Sequence, residues 1–371
     1  MIEWLPKENK LDNQQMSIIR KILTSNGNHF ITGYPGTGKS VVLAWAALKA
    51  SGVNSILTYT NALVECIRAG IQDADSFKKP KVGTIDAFVE NETGGQDVLF
   101  IDEAQDLRTK TYQRGVEILP VLANRSPKVV FAADSEQSIY DNTISLDEIK
   151  QSFNVPSENV HHLDINYRMT KEMLDVVKVF FPRRTIKIES GRLNTDVKIS
   201  KGLARSKEEG YEWIFEKSKT LSRPGRPSVV LFKKRAQIVA FINVVVPQIT
   251  DEIELNDALN ARLRQLNVPI RFLGNGVGSL SDADEQGMLY VMTCHSAKGL
   301  DFETVFVPDC EEFNRGGNLF YVALTRARRN LFLLGDKTAQ IHAKLVSCDF
   351  VRQVDVDVEA LKKEEEDEDL F

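Results

Sequence analysis

Residues 29–50 read His29-Phe30-Ile31-Thr32-Gly33-Tyr34-Pro35-Gly36-Thr37-Gly38-Lys39-Ser40, then VVLAWAALKA. An apolar run leads into a glycine-rich turn and out into a helix-like stretch. Gly33 to Ser40 match GxxxxGK[ST] in the strand-turn-helix setting the motif requires. Gly33, Gly36, Thr37 and Gly38 let backbone N–H groups turn inward around phosphate oxygens. The helix start adds positive potential, Lys39 reaches the terminal phosphates and Ser40 can ligate magnesium. A glycine-rich turn with a solvated lysine would not require that flanking pattern, so a triphosphate site is expected. The motif alone names no reaction.

Working outward, SILTYT, VLFIDEA and KVVFAAD alternate with amphipathic stretches, the signature of parallel strands joined by crossover helices. Val98 to Glu103 form an apolar strand ending in two carboxylates, from which Asp102 could hold magnesium and Glu103 could activate water. Taken singly, such an ending is often a solvated strand end. Its place downstream of the phosphate loop favours the catalytic reading, and the two motifs together imply hydrolysis. From about His161 a second set follows: VKIS, SVVLF, PIRFLG, MLYVMT, TVFVPD and NLFLLG, with KEEGYEWIFEKSK as a helix. The polar segment 141–160, containing Pro156, separates the sets, so the expected domains are 1–150 and 151–350. The loop 274–287 is rich in Gly, Ser and Asp and is expected to be exposed and mobile. Residues 351–371, ending in EEEDEDLF, are expected to be an acidic disordered tail.

At 371 residues and 42% hydrophobic, the chain can bury two cores. Its net charge of −5 is misleading, because residues 364–369 supply six negative charges and the remainder stands at about +1. A local basic groove is thus neither excluded nor shown. The four cysteines are scattered, so neither a disulfide framework nor a zinc site is encoded. No run approaches the roughly 18–20 apolar residues of a membrane helix, and MIEWLPKENK lacks a signal-peptide core. The expected location is a reducing cytoplasm, with no membrane partner.

DEAQD, SEQSIY, NYR, HSAKGLDF and YVALTRA, in that order, resemble the UvrD, Rep and PcrA group of superfamily 1 helicases over about residues 11–334. The resemblance implies an α/β fold of two tandem RecA-like P-loop domains with parallel sheets and an ATP cleft between them. It implies ATP and Mg2+ as cofactors and single-stranded DNA as the track. By the same resemblance, Gln15 reads the adenine edge and Tyr167 stacks on the base, while Gly299 and Asp301 face the nucleotide. Asp301 stands where the family usually has Glu against the ribose. Gln137 is similar to the γ-phosphate sensor, and Arg168 and Arg326 look like the two arginines supplied by the second domain. Such fingers are worth about 10³ to 10⁵ in rate. Alone, Arg326 would read as a surface arginine of a basic helix.

For the track, the resemblance implies Thr58, Tyr59 and Asn61 of TYTN, with Tyr140, Thr84 and His295 as further contacts. An aromatic ring grips any base by stacking. Tyr140 and Thr84 could equally pack or cap, and His295 could be a satisfied loop histidine. Asp86 replaces the family's usual His, and Asn142 stands where the family has Trp, so base gripping is expected to be altered. Only about 40 residues separate TYTN from DEAQD, and about 125 separate Arg168 from Thr293. Both large inserted domains of UvrD-like proteins are therefore expected to be missing, which puts unaided unwinding in doubt. The tail offers a place for a protein partner or serves as a solubiliser. A DNA motor is the leading expectation, beside a nucleotide-gated binding switch and an RNA-directed enzyme.

Overall fold

The computed structural model describes residues 4–72, 74, 79–91, 94–134, 142–182, 189–190, 198–313, 317–346 and 348–362. The chain divides into two compact units, Ile2–Arg168 with Lys187–Gly191, and Met169–Ile186 with Arg192–Phe371.

The first unit runs α1 (Asn13–Thr24), β1 (His29–Gly33), α2 (Lys39–Lys49), β2 (Asn54–Thr58), α3 (Asn61–Gln72), β3 (Lys81–Thr84), α4 (Ile85–Asn91), β4 (Val98–Ile101), α5 (Ile118–Arg125), β5 (Val129–Ala133), α6 (Leu146–Ser152), β6 (Val160–Leu163) and β7 (Ile165–Asn166). Asp12 starts α1 as half of a reciprocal cap with Gln15. Among the described residues β1 to β6 form a parallel sheet ordered β3-β2-β4-β5-β1-β6. Helix α2 is buried from Val42 to Leu48, which explains why its apolar run lacks a polar face. A parallel sheet brings all its strand C-termini to one edge, and the loops leaving that edge carry the ligand chemistry.

The second unit runs α7 (Lys171–Phe180), β9 (Lys198–Leu203), α8 (Lys207–Leu221), β10 (Ser228–Phe232), α9 (Arg235–Val245), α10 (Asp257–Gln265), β11 (Ile270–Phe272), β12 (Leu289–Thr293), β13 (Phe302–Val307), α11 (Asn318–Leu324), β14 (Ala327–Gly335), α12 (Gln340–Lys344) and β15 (Val351–Val354), while β8 (Glu189–Ser190) pairs with β7 in the first unit. Its sheet is also parallel, ordered β11-β12-β10-β13-β14-β9-β15. Trp213, Phe241, Phe306 and Phe332 centre its core. The described residues between β2 and β4 form only α3, β3 and α4.

Three expectations are corrected. The boundary at residue 150 falls short, because β6 adds to the first sheet beside β1 and the chain stays with that unit to Arg168. The tail does not begin at residue 351: Val351–Val354 pairs with β9, and Val356 and Leu361 are buried in the second core. Residues 363–371, with the acidic run, lie outside the described residues. The 274–287 loop is tied down, since the Tyr290 hydroxyl donates to Ser279 O and Leu280 O and Asp282 pairs with Arg264 at 2.8 Å and Arg271 at 3.5 Å.

Candidate functional site

In the turn between β1 and α2, Gly36 and Gly38 have φ of +82° and +88°, which glycine adopts without strain. Space forbids a side chain as well: a Cβ on Gly36 would lie 2.6 Å from Asn166 Oδ1, and one on Gly38 2.5 Å from Gln15 Nε2. The Thr37 hydroxyl donates to Tyr34 O at 2.8 Å and closes the turn. Lys39 is buried, and its ammonium donates to Gly33 O at 2.7 Å and Tyr34 O at 3.0 Å. Burial lowers its pKa, opposed by the carboxylates of Asp134, Glu103 and Asp102.

Asp102 follows β4 and is 1% exposed. Its Oδ1 accepts from Glu103 N at 3.0 Å, the Ser40 hydroxyl also bonds to the carboxylate, and Oδ2 is buried without a hydrogen-bond partner. Burial, then the charge of Glu103, push its pKa up to about 6. A buried carboxylate oxygen left unsatisfied beside a hydroxyl fits magnesium, which takes one or two protein oxygens and completes its shell with phosphate and water. Glu103 has φ of +55°, uncommon for a non-glycine residue, and its carboxylate accepts from Gln105 Nε2. Gln105 Oε1 in turn accepts from Asp134 N at 2.9 Å, tying the end of β4 to that of β5. Gln105 and Asp134 were not singled out from sequence, although both sit in quoted motifs, Gln105 in DEAQD and Asp134 at the end of KVVFAAD.

The NYR segment closes the other side. Asn166 Nδ2 donates to Pro35 O at 2.6 Å, Tyr167 N to Gly36 O at 2.8 Å, and Arg168 N to Asn166 Oδ1 at 3.0 Å. Arg168 thus lies against the phosphate loop from within the first unit, a correction to its expected origin in the second. The reason is that the Asn166 and Tyr167 bonds to Pro35 and Gly36 hold the chain on the loop until Met169. The Tyr167 ring is 40% exposed and its hydroxyl donates to the Asp12 carboxylate, which also caps α1. Gln15 is buried, with Nε2 directed at Thr37 O at 3.4 Å.

Elsewhere the expected residues are placed differently. Tyr59 packs against the core of the first unit with its hydroxyl buried, so its ring is not an open platform. Burial, then Asp106, raise its pKa well above the usual value. Thr58 is fully buried, Asn61 is exposed at the start of α3, and the Thr84 hydroxyl accepts from Ala87 N as the cap of α4. Asp86 is paired with Arg108 at 2.9 Å. Asn142 has φ of +63°, a backbone that favours Asn over the family's Trp. Gln137 and Tyr140 lie outside the described residues.

In the second unit, Asp301 pairs with Arg328 at 2.7 Å and Gly299 turns with φ of +80°. His295 is partly buried, which lowers its pKa and keeps the ring neutral at pH 7. Arg326 is not on the surface: it is fully buried, donating to Val322 O, Leu300 O and the Thr325 hydroxyl at 2.9–3.0 Å.

The family model for the Schlafen group 3 DNA/RNA helicase domain matches residues 27–225, more than half of the chain. The chain belongs to that family. The UvrD-like helicase C-terminal domain matches residues 288–334 of the same chain, within the second unit, and the chain is a UvrD-like superfamily 1 helicase. The helicase is 24% identical over 286 residues to a probable DNA helicase of Mycoplasma pneumoniae, covering 69% of this chain and 47% of that protein. It is 27% identical over 165 residues to a probable DNA helicase II homolog of Mycoplasma genitalium, covering 40% of this chain and 23% of that protein. It therefore spans about half or less of these relatives. Its fold is similar to S. cerevisiae Dbp5 bound to RNA and ADP BeF3, with a TM-score of 0.53 at 13% identity, covering 96% and 94% of the two chains. The architecture is the tandem RecA-like one. No helix among the described residues is long and apolar enough to cross a membrane.

Proposed function

We propose that this helicase binds ATP with Mg2+, hydrolyses it, and uses the cycle to move along single-stranded DNA in the cytoplasm. The observation that carries the reading is the convergence on one loop of Lys39, the Ser40–Asp102 pair with its unsatisfied oxygen, and the restrained Glu103. Lys39 exchanges its bonds to Gly33 O and Tyr34 O for terminal phosphate oxygens. Magnesium, when held by Ser40 and Asp102, neutralises charge on those phosphates. Glu103, aimed by Gln105, takes a proton from water as the water oxygen bonds to the γ-phosphorus. The bond to the bridging oxygen breaks, and ADP and phosphate leave. Arg168 neutralises charge on the transferred group, and Arg326 joins it by giving up its backbone acceptors. The Tyr167 ring stacks on adenine, whose edge Gln15 reads; Gln137, Gly299 and Asp301 complete the nucleotide contacts.

The strand would pass Asn61, Thr84, Tyr140 and His295. The inward packing of Tyr59 and the pairing of Asp86 favour a second reading, a nucleotide-gated clamp that does not step. ATPase with and without oligo(dT), beside strand displacement on duplexes with 3′, 5′ or no overhang, separates the two. A motor hydrolyses faster on DNA, whereas a clamp binds DNA without acceleration. Absence of hydrolysis under all conditions contradicts both.

A further inference from the structure

The turn after the second acidic motif carries a surface ring that no sequence motif announced. Tyr112 is 82% exposed. The turn beneath it is built rather than loose. Lys110 and Glu117 form an antiparallel bridge, Thr111 N donates to Val116 O at 2.9 Å, and Gly115 closes the tip with φ of +64°. Its base is fastened to the segment leading into α6 and to α4: Arg108 bridges to Thr143, Arg108 pairs with Asp86, and Arg114 N donates to Glu90 Oε1 at 3.0 Å. The Tyr112 backbone N–H also donates to Asp86 Oδ2, and the Arg108 guanidinium lies 5.8 Å from the ring centroid.

We infer that Tyr112 is the platform on which an unstacked base of the bound single strand rests, taking the role expected of Tyr59. The inference rests on the reading of the chain as a DNA-tracking helicase. Leaving a tyrosine ring this open on a restrained turn contributes nothing to the core, whereas an aromatic face stacks on any base. The turn lies on the same connection, between β4 and α5, that carries Asp102 and Glu103. Charge at the tip suits phosphate. The Arg114 side chain is 62% exposed and its partner Glu90 only 4%, so the cation faces outward while the anion is covered. Arg108 and Lys110 add positive charge, against the exposed Glu117 and the paired Asp86. Asp86, unexplained as a replacement for histidine, gains a role. It fixes Arg108 and the Tyr112 backbone, and so positions the ring.

The test is fluorescence anisotropy of labelled oligo(dT), with oligo(rU) as a second arm, on the full chain and its Tyr112→Ala, Tyr112→Phe and Asp86→Asn variants. ATPase is measured in parallel. Tyr112→Ala is expected to weaken oligo(dT) binding at least about fivefold, the low end of what loss of one base stack produces, and Tyr112→Phe to bind nearly as the parent does. Both keep the parent's melting temperature and DNA-free ATPase, because the ring packs against no core. Asp86→Asn weakens binding less than Tyr112→Ala. Unchanged affinity in Tyr112→Ala overturns the inference and leaves the motor reading standing. Strand binding by the parent with no acceleration of hydrolysis overturns the motor reading and leaves Tyr112 in place. Absence of binding to either polymer overturns both, and loss confined to oligo(rU) reassigns the track to RNA and overturns the DNA assignment.

Discussion

Replacing Asp102 by Asn is expected to stabilise the nucleotide-free protein while abolishing its magnesium-dependent hydrolysis. Burial and the neighbouring Glu103 raise the Asp102 carboxyl from 3.8 to about 6. Each pKa unit corresponds to about 1.4 kcal/mol, so holding the ionised form in the fold costs up to about 3 kcal/mol above pH 6. The folded state binds the proton more tightly than the unfolded chain. That cost is therefore fully present above pH 6, shrinks as pH falls through 6, and is gone below 3.8. The Asn carbonyl still serves Ser40 and the Glu103 amide, but Lys39 loses an opposing charge, which trims the gain. A net stabilisation of about 1–3 kcal/mol at pH 8 follows, or roughly 2–10 °C in melting temperature. Thermal denaturation without nucleotide or metal, at pH 8 and pH 5, measures it. The advantage of the variant is expected to shrink at pH 5, where the parent carboxyl is protonated. A variant less stable than the parent at pH 8, or an advantage indifferent to pH, would refute the reasoning.

Lys39→Ala is expected to remove hydrolysis, leaving turnover at background in a phosphate-release assay, because Lys39 is the cation seated inside the phosphate turn. Arg326→Ala is expected to slow turnover at least about a hundredfold while leaving ATP binding by the first unit largely intact. It should also destabilise the second unit by roughly 1–3 kcal/mol, since it strands the buried Leu300 O, while Val322 O and the Thr325 hydroxyl keep their bond to each other. A normal melt for that variant would show the buried bonds to be dispensable. Tyr167→Ala is expected to raise KM for ATP about fivefold or more with kcat little changed, as loss of a stacking face predicts, whereas Tyr167→Phe should affect KM less. A fall in kcat at constant KM would remove Tyr167 from the base site.

The alternation of apolar runs exposed both parallel sheets, because a buried parallel strand must be apolar on both faces and such runs stand out. Among the strands that escaped it are β6 and β15. In β6, His161 is buried against His29 with their ring nitrogens 3.1 Å apart, a pairing hydrophobicity does not encode. In β15, Arg352 and Gln353 are exposed, as an edge strand permits, and the run reads as the start of a polar tail. The phosphate loop and the β4 carboxylates were legible because local backbone dictates their residues. Which unit carries Arg168 was not, since two bonds to residues more than a hundred positions earlier, Asn166 to Pro35 and Tyr167 to Gly36, decide it. Tyr59 and Tyr112 show the same limit. Both are tyrosines beside polar motifs, and only packing tells which ring is covered and which is open.

The central claim is that hydrolysis at the Lys39–Asp102 site drives stepping on a single strand. Steady-state ATPase of the full chain, titrated with oligo(dT) of increasing length, tests it directly. A translocating motor predicts that maximal turnover rises with strand length before levelling off, since longer tracks allow more steps per encounter. Turnover accelerated equally by the shortest strand that binds and by the longest, or not accelerated at all, would contradict it.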